Sequence, residues 1–409
     1  MSSSHQEINS TLAYDYAIVG GGMAGLTMAL LLAPVLEANK QRLVIIEAFD
    51  PQGGHYQPSF DARSTALSEG TRRILDQLGL WSSLAKRVCA IDQIHVSQKG
   101  GFGSTRMSAS ECQVDHLGYV IENAWFGQCL MDAIAELECV DWLAPAKVEQ
   151  LTQQEQGQLL TLDDGRSVST SFLMVADGAQ SSLRDKLGIQ ANRTAYQQHA
   201  LVCNVSTRLA HQQVAYERFT PNGPLALLPL TESRSALIWS VPEGQIAERM
   251  AMSDREFIQL LEQEFGTRLG PITKVGKRAS YPLSLMRVTD QVRPGVVLLG
   301  NSAHALHPVA GQGFNLIIRD LVCLRDAIEA RLASHQNLKE LTWLSQYQDH
   351  RQLDQWLTTS FSHWLIELFS NDHRWLKRLR ELGLIALDRV GPVKATFARQ
   401  AMGLGLGAN

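Results

Sequence analysis

Three glycine-bearing runs in this 409-residue chain have residue types and spacing that could do chemistry. Gly20-Gly21-Gly22-Met23-Ala24-Gly25 has the G-x-G-x-x-G spacing, and Glu47 follows 22 positions after Gly25. Gly20 suits a tight turn, Gly22 lets backbone meet a pyrophosphate, Gly25 allows close helix–strand packing, and Glu47 can accept hydrogen bonds from ribose hydroxyls. With no basic residue beside Glu47, an unphosphorylated adenosine ribose is expected. Far along the chain, Gly300-Asn301-Ser302 and then His307-Pro308-Val309-Ala310-Gly311-Gln312-Gly313-Phe314-Asn315 form a second run. Its glycines admit a flat ring where a Cβ would clash, and a helix start offers free N–H groups to an acceptor that gains negative charge on reduction. Between them lies Asp177-Gly178, with Ser181 and Arg184 beyond. Together the runs suit a dinucleotide carrying a redox ring.

Each run needs an element to aim it. Residues 14–19 read as a short buried strand feeding the first glycine turn, an apolar helix follows, and residues 42–46 make the second strand, closing at Glu47. Residues 159–171 carry a hairpin signal with an Asp-Gly turn, and 172–176 a core strand that delivers Asp177 to the carboxyl edge of the sheet, where open α/β sheets bind ligands. Residues 296–299 are a third apolar strand, and 315–332 have helical character. Arg63 precedes a helix at 69–78; as a planar cation it could cover a pyrophosphate or form a surface ion pair. Gln128 opens an amphipathic helix. Alternating residues and glycines over 91–120, then strands around 201–206, 225–230 and 235–241 with a helix at 254–265, predict a mostly antiparallel sheet inserted into the α/β unit.

Composition bounds the rest. Hydrophobic content of 45% supplies a full core, and a net charge of -4 gives no global reason to expect nucleic acid. Six cysteines without metal spacing read as reduced thiols of a cytosolic protein. The polar residues 1–10 do not form a secretory signal, and the longest apolar run, 26–36, is too short to cross a bilayer. His304 and His307 have no carboxylate or cysteine at ligand spacing, so no metal is expected.

In order and spacing, the three runs resemble the single-component flavin-dependent aromatic hydroxylases typified by para-hydroxybenzoate hydroxylase. The run from His307 to Asn315, ending at Asp320, resembles the ubiquinone-biosynthesis monooxygenases among them. Arg218-Phe219-Thr220-Pro221-Asn222-Gly223-Pro224-Leu225-Ala226 and Gly276-Lys277-Arg278-Ala279-Ser280-Tyr281-Pro282-Leu283 are similar to its 2-octaprenyl-6-methoxyphenol hydroxylase branch. The resemblance implies FAD, with Gly20, Gly22 and Gly25 at its pyrophosphate, Glu47 at the adenosine ribose, and Arg63 and Gln128 flanking pyrophosphate and ribityl chain. Asp177 and Gly178 would serve both flavin and a visiting nicotinamide. Pro308, Gly311, Gln312 and Gly313 would lie against the isoalloxazine, with Phe314 beside them and Asn315 at the pyrimidine edge. Two positions depart from the family pattern: Asn301 stands where aspartate is usual, and Ile317 where a small residue is usual. NAD(P)H would reduce the flavin and O₂ would add at C4a, giving a hydroperoxide that hydroxylates a prenylated phenol. An apolar roof is then required, for which Leu227, Pro229 and Trp239 are candidates, core filling being the other reading of the same residues.

The implied fold class is α/β: a Rossmann-like FAD-binding domain in three parts (1–95, 121–190, 285–335), an inserted mostly antiparallel substrate-domain sheet (96–120 and 191–284) and a helical C-terminal region (336–409). The last carries an apolar stripe of Trp356, Leu357, Phe361, Trp364, Leu365 and Leu368, then seven basic residues against two acidic over 374–399. It could pack on the flavin domain or rest on an anionic membrane surface. Expected partners are the phenol, other ubiquinone-biosynthesis proteins and the inner face of the cytoplasmic membrane, with no nucleic acid. A flavin dehydrogenase or reductase of the same fold, and a flavin-free binding or assembly subunit, are the alternatives.

Overall fold

The computed structural model describes residues 11–50, 61, 63–101, 103–306 and 311–369, the last eight of these by backbone alone. Pro308 and the basic segment 374–399 lie outside the described residues, as do the side chains of Trp364, Leu365 and Leu368.

The chain opens with β1 (Thr11–Val19), α1 (Met23–Asn39) and β2 (Leu43–Ile46), then β3 (Ser64–Ser68), α2 (Glu69–Gln77), α3 (Trp81–Leu84) and β4 (Val88–Ile91). A hairpin, β5 (Gln93–Gln98) and β6 (Ser104–Ser108), precedes α4 (Ala109–Cys112), β7 (Gly118–Glu122), α5 (Asn123–Ala135) and β8 (Val140–Leu143). Next come β9 (Val148–Gln154), β10 (Gly157–Leu162), β11 (Ser167–Val175) and α6 (Ser182–Lys186). The middle of the chain holds β12 (Ala191–Thr207), β13 (Val214–Thr220), β14 (Gly223–Pro229), β15 (Arg234–Pro242), α7 (Glu243–Ala251), α8 (Asp254–Phe265), β16 (Ile272–Val275) and β17 (Ala279–Val288). It closes with β18 (Val292–Arg293), β19 (Val296–Leu298), β20 (His304–Ala305), α9 (Gln312–Ala333) and α10 (Leu341–Phe369).

Strands β19, β11, β1, β2 and β8 run parallel in that order, with β18 antiparallel at one edge and the β9–β10 hairpin on β11. Their carboxyl ends are level: Leu143, Ile46, Val19, Val175 and Leu298 stand in one row across the sheet. The strands are apolar without alternation because both faces are covered. On one face α1, α5, α9 and the start of α10 pack over Tyr16, Ile18, Leu43 and Met174; the other covers Ala17, Val44, Leu173 and Val175. Helix α1 is buried nearly all round, which its composition demands. The hairpin strand and core strand expected near 159–176 are one continuous β11, zipped to β1 along its whole length.

The inserted sheet has the order β20-β17-β12-β15-β14-β13-β5-β6 with β16 beside β12, antiparallel except at β13–β5. Strand β7, which falls in the span expected to belong to it, instead joins β3 and β4 in a separate small sheet. One face of the inserted sheet is sealed by α7 and α8 through Leu201, Leu237, Phe257 and Leu261. The opposite face meets the small sheet through Leu228, Ala236, Ile238 and Val120.

Candidate functional site

Because the parallel strands end level, three loops leave the sheet side by side. Gly20, at φ +110°, donates its N–H to Ile46 O at 2.9 Å, and a Cβ there would lie 2.4 Å from Ala176 O. Gly22 is the N-cap of α1, and a Cβ on Gly25 would lie 2.0 Å from Gly20 O. Both Gly20 and Gly25 are therefore compelled by backbone meeting backbone. The second loop is stitched to its neighbours on both sides: Ala176 N–H donates to Val19 O and Leu299 N–H to Val175 O, each at 2.7 Å. In the third, Gly300 (φ +60°) sits where a Cβ would be 2.9 Å from Ala24 Cβ at the start of α1. Ser302 Oγ donates toward Val175 O at 2.7 Å, and buried Arg184 reaches Ala179 O and Ser302 O at 3.2 Å each. Arg184 thus bolts the Asp177 loop to the Gly300 loop.

Does this edge fit an FAD? Asp177 Oδ2 accepts Leu183 N–H at 3.4 Å, while Oδ1 is buried with no hydrogen-bond partner among the described residues, and burial pushes the carboxyl above the usual range. Such an atom is an acceptor waiting for a donor such as a hydroxyl. Beside Gly178 and Gly313 a Cβ would meet nothing within 4 Å among the described residues, so both open onto space there. The 22-residue α9 begins at Gly311 (φ +61°) and turns its first N–H groups and positive dipole end to that side. An acceptor set, two glycine-walled openings and a helix N-terminus make a cradle of the right chemistry for FAD.

The remaining expected residues fall in varied places. Glu47 is 5% exposed, at the end of β2, and accepts Gly21 N–H at 2.5 Å and Phe49 N–H at 2.9 Å. Arg63 takes the ion-pair alternative: it pairs with Asp61 at 2.8 Å and lies 4.4 Å over the Tyr281 ring, while Tyr281 Oη donates to Asp61 at 2.7 Å. That cluster joins the nucleotide unit to β17 of the inserted sheet. Gln128 is exposed on α5, and its amide donates to Asp132 one turn on. Asn301 is exposed. Phe314 packs edge-on against Phe126 at 5.3 Å in the core. Asn315 spends its whole amide on the protein: Oδ1 accepts Ser68 N–H and Thr71 Oγ1, both at 2.8 Å, and Nδ2 donates to Ala66 O and Gly311 O at 3.0 and 2.9 Å. It ties the start of α9 to β3 and α2. Ile317 is buried beside Gly300 and α9 packs closely on α1, so the missing small residue does not prevent helix contact.

The roof needs a correction. Leu227 and Trp239 face α7 and α8, where Trp239 contacts Phe257 and lies 4.3 Å under the Arg249 guanidinium. Pro229 shares their side of the strand by alternation. The face turned to the nucleotide unit instead carries Leu228, Ala236 and Ile238, with Tyr281 on the same side. Two residues not singled out in sequence also stand at the site. Trp142 of β8 would lie 3.0 Å from a Cβ on Gly21, with its indole N–H buried and unpartnered. Asp61 anchors the Arg63–Tyr281 cluster. Neither carries a local motif; Trp142 arrives only by pairing opposite Ile45.

A family model described as an FAD binding domain matches residues 13–362. The chain is 34% identical to the ubiquinone hydroxylase UbiL of Rhodospirillum rubrum, covering 95% of this chain and 89% of that protein. It is 29% identical to the 3-demethoxyubiquinol 3-hydroxylase of Escherichia coli, covering 95% and 98%. Among solved structures, the p-nitrophenol 4-monooxygenase PnpA of Pseudomonas putida superposes with a TM-score of 0.79 at 18% identity, covering 97% and 99%, a likeness of fold.

Proposed function

The chain belongs to the FAD-binding-domain family of flavoprotein monooxygenases, and we infer from this that it hydroxylates the ring of a prenylated phenol on the route to ubiquinone. The observation that carries the reading is the meeting of Gly20, Asp177 and Gly300 along one sheet edge, with Asp177 Oδ1 left without a partner. Its relatives named as ubiquinone hydroxylases support the substrate class; within it, a 2-octaprenyl-6-methoxyphenol hydroxylase-like activity is the finer reading, which the resemblance of the runs at 218–226 and 276–283 supports. When bound, the flavin supplies the electrons that activate O₂, one atom of which enters the ring.

The chain's own residues do the rest. Gly20, Gly22 and Gly25 take the pyrophosphate, Glu47 the adenosine end, and Asp177 a hydroxyl of the ribityl chain. The N–H groups at the start of α9 would face the ring and favour negative charge on it. The face of the inserted sheet that carries Leu228 and Ile238 packs on the small sheet, and by holding the two units together it would help to keep water from the ring. Among the described residues one parallel unit alone opens with a glycine-rich nucleotide turn, which suits a nicotinamide that visits and leaves.

A tailed substrate also suits the outer face of α10. There Leu353, Trp356 and Leu357 are 66%, 52% and 40% exposed, at helical spacing. No helix among the described residues is long and apolar enough to cross a membrane, so contact would be peripheral, at the cytoplasmic face.

The test is direct. Purified protein should be yellow and, given NADH or NADPH, O₂ and a prenylated phenol, should form hydroxylated product one-for-one with reductant consumed. Reductant oxidation with any prenylated phenol that yields only peroxide would sink the assignment.

A further inference from the structure

Behind the glycine loop runs a chain of buried polar groups that cofactor contact does not explain. Asp320, just over two turns into α9 and 1% exposed, is approached from three directions. His304 Nε2 on β20 shares a hydrogen bond with it at 2.6 Å, Arg351 Nε on α10 donates at 2.6 Å, and Gln355 Nε2 at 3.0 Å. Gln355 continues to Gln291, whose amide donates to Leu298 O at the end of β19. Arg351 also grips Asp354, which Arg319 of α9 reaches at 2.8 Å.

Apolar side chains of equal volume would join α10 to α9 as firmly or more so, because burying ions carries a desolvation cost. What apolar packing does not give is register. Two cross-helix ion pairs in opposite sense, Arg351 of α10 on Asp320 of α9 and Arg319 of α9 on Asp354 of α10 through two nitrogens, fix both the axial and the rotational setting of α10 on α9. Two guanidiniums (Arg319, Arg351) face two carboxylates (Asp320, Asp354) across the two helices. Asn315 fixes α9 one and a half turns earlier, and His304 lies a few residues beyond Gly300.

We propose that Arg351 is a positioning residue for the flavin: through Asp320 and His304 it sets where β20 and the start of α9 stand against the ring. The inference rests on the flavin being held at the N-terminus of α9. The affinity and electronic surroundings of bound FAD then depend on α10, a helix packed behind the loop.

The test uses the full chain with Arg351→Lys, which keeps the charge but not the fork, Gln355→Leu, and Leu344→Ala as a control that loosens the apolar contact of α10, Leu344 being fully buried. Apoprotein stability, FAD affinity, and the visible circular dichroism and midpoint potential of bound FAD are measured for each. R351K is expected to weaken FAD binding by about tenfold and to alter the flavin spectrum and potential. L344A should lower stability while leaving the spectrum of whatever FAD it binds unchanged. Asp320→Asn combined with R351K should lose no more affinity than D320N alone. Wild-type FAD binding with unaltered affinity and spectrum in R351K and Q355L overturns the proposal alone; a wild type that takes up no FAD overturns the site reading as well. The same spectral change in L344A, or failure of both R351K and Q355L to fold, also overturns it, since the network would then serve the fold and not the ring.

Discussion

Arg184 donates to the carbonyl of Ser302 across the gap between two βα loops, from a side chain only 2% exposed. It also bonds Ala179 O, so one guanidinium sets the spacing of the Asp177 and Gly300 loops. Replacing it with methionine keeps the volume and deletes both bonds. Urea unfolding of R184M should show a loss of about 3 kcal/mol, as hydrogen bonds from a charged donor are among the stronger kind. FAD uptake should fall with it, and unchanged stability would show that the loops hold themselves apart.

Two glycines separate fold from ligand. Gly25→Ala drives a Cβ to 2.0 Å from Gly20 O, so the folded apoprotein should be lost or severely destabilised. Gly313→Ala meets nothing within 4 Å among the described residues and sits in the first turn of α9. There alanine should leave the apoprotein as stable or raise it by about 0.5–1 kcal/mol through helix propensity. It should nevertheless weaken FAD binding, because its methyl occupies the opening. Titration of FAD into the folded G313A protein checks this; full affinity would place the ring elsewhere.

Asp177 carries a pH signature. Its carboxyl lies above the ordinary 3.8 in the folded chain because of burial. The native state therefore holds a proton that the unfolded chain has already released, and stability falls as pH rises from the unfolded value through the folded one. Asp177→Asn removes that fall. Melting curves should show D177N apoprotein more stable than the parent at neutral pH and equal to it below the unfolded carboxyl value, yet poorer at holding FAD. A parent more stable at neutral pH than D177N would contradict the cost of burying this carboxylate, whose Oδ2 accepts Leu183 N–H while Oδ1 has no partner among the described residues.

Asn315→Asp tests the saturated amide. A carboxylate would face Ala66 O and Gly311 O, which now accept from Nδ2. About 3 kcal/mol of stability should be lost on losing two bonds and opposing like partial charges. A variant unfolding at the parent's urea midpoint would show that the start of α9 is held by packing alone.

For the outer face of α10, Trp356→Ser with Leu353→Ser should reduce sedimentation with anionic liposomes several-fold while thermal unfolding stays within a degree or two, both residues being exposed. Unchanged partitioning would leave that face without a membrane role.

The glycine turns were legible in sequence because much of their constraint is local: Gly20 holds a φ of +110° and Gly25 meets Gly20 O five residues back. Glu47 and Asp177 were legible for the same reason, each closing an apolar strand. The roof was not. In β14 every residue but Leu228 is buried, so alternation was masked and Leu227, which faces α8, could not be told from Leu228, which faces the small sheet. Arg63 gave no sign that Tyr281 and Asp61 would claim it, since Tyr281 arrives only through the β12–β17 pairing. Asn315 read as a ligand because its partners, Ser68 and Thr71, lie far away in the chain. Trp142, with no motif around it, was invisible until β8 was paired in register.

The level row from Leu143 to Leu298 has a last implication. Adding or deleting one residue in β1 or β11 would offset the phosphate turn from Asp177 by a step of about 3.3 Å and swing one of them to the opposite side of the sheet. The span between those two anchor points is thus a fixed gauge, cut into the ladder itself, and adapting this scaffold to a new guest is left to the loops and the overlying sheet.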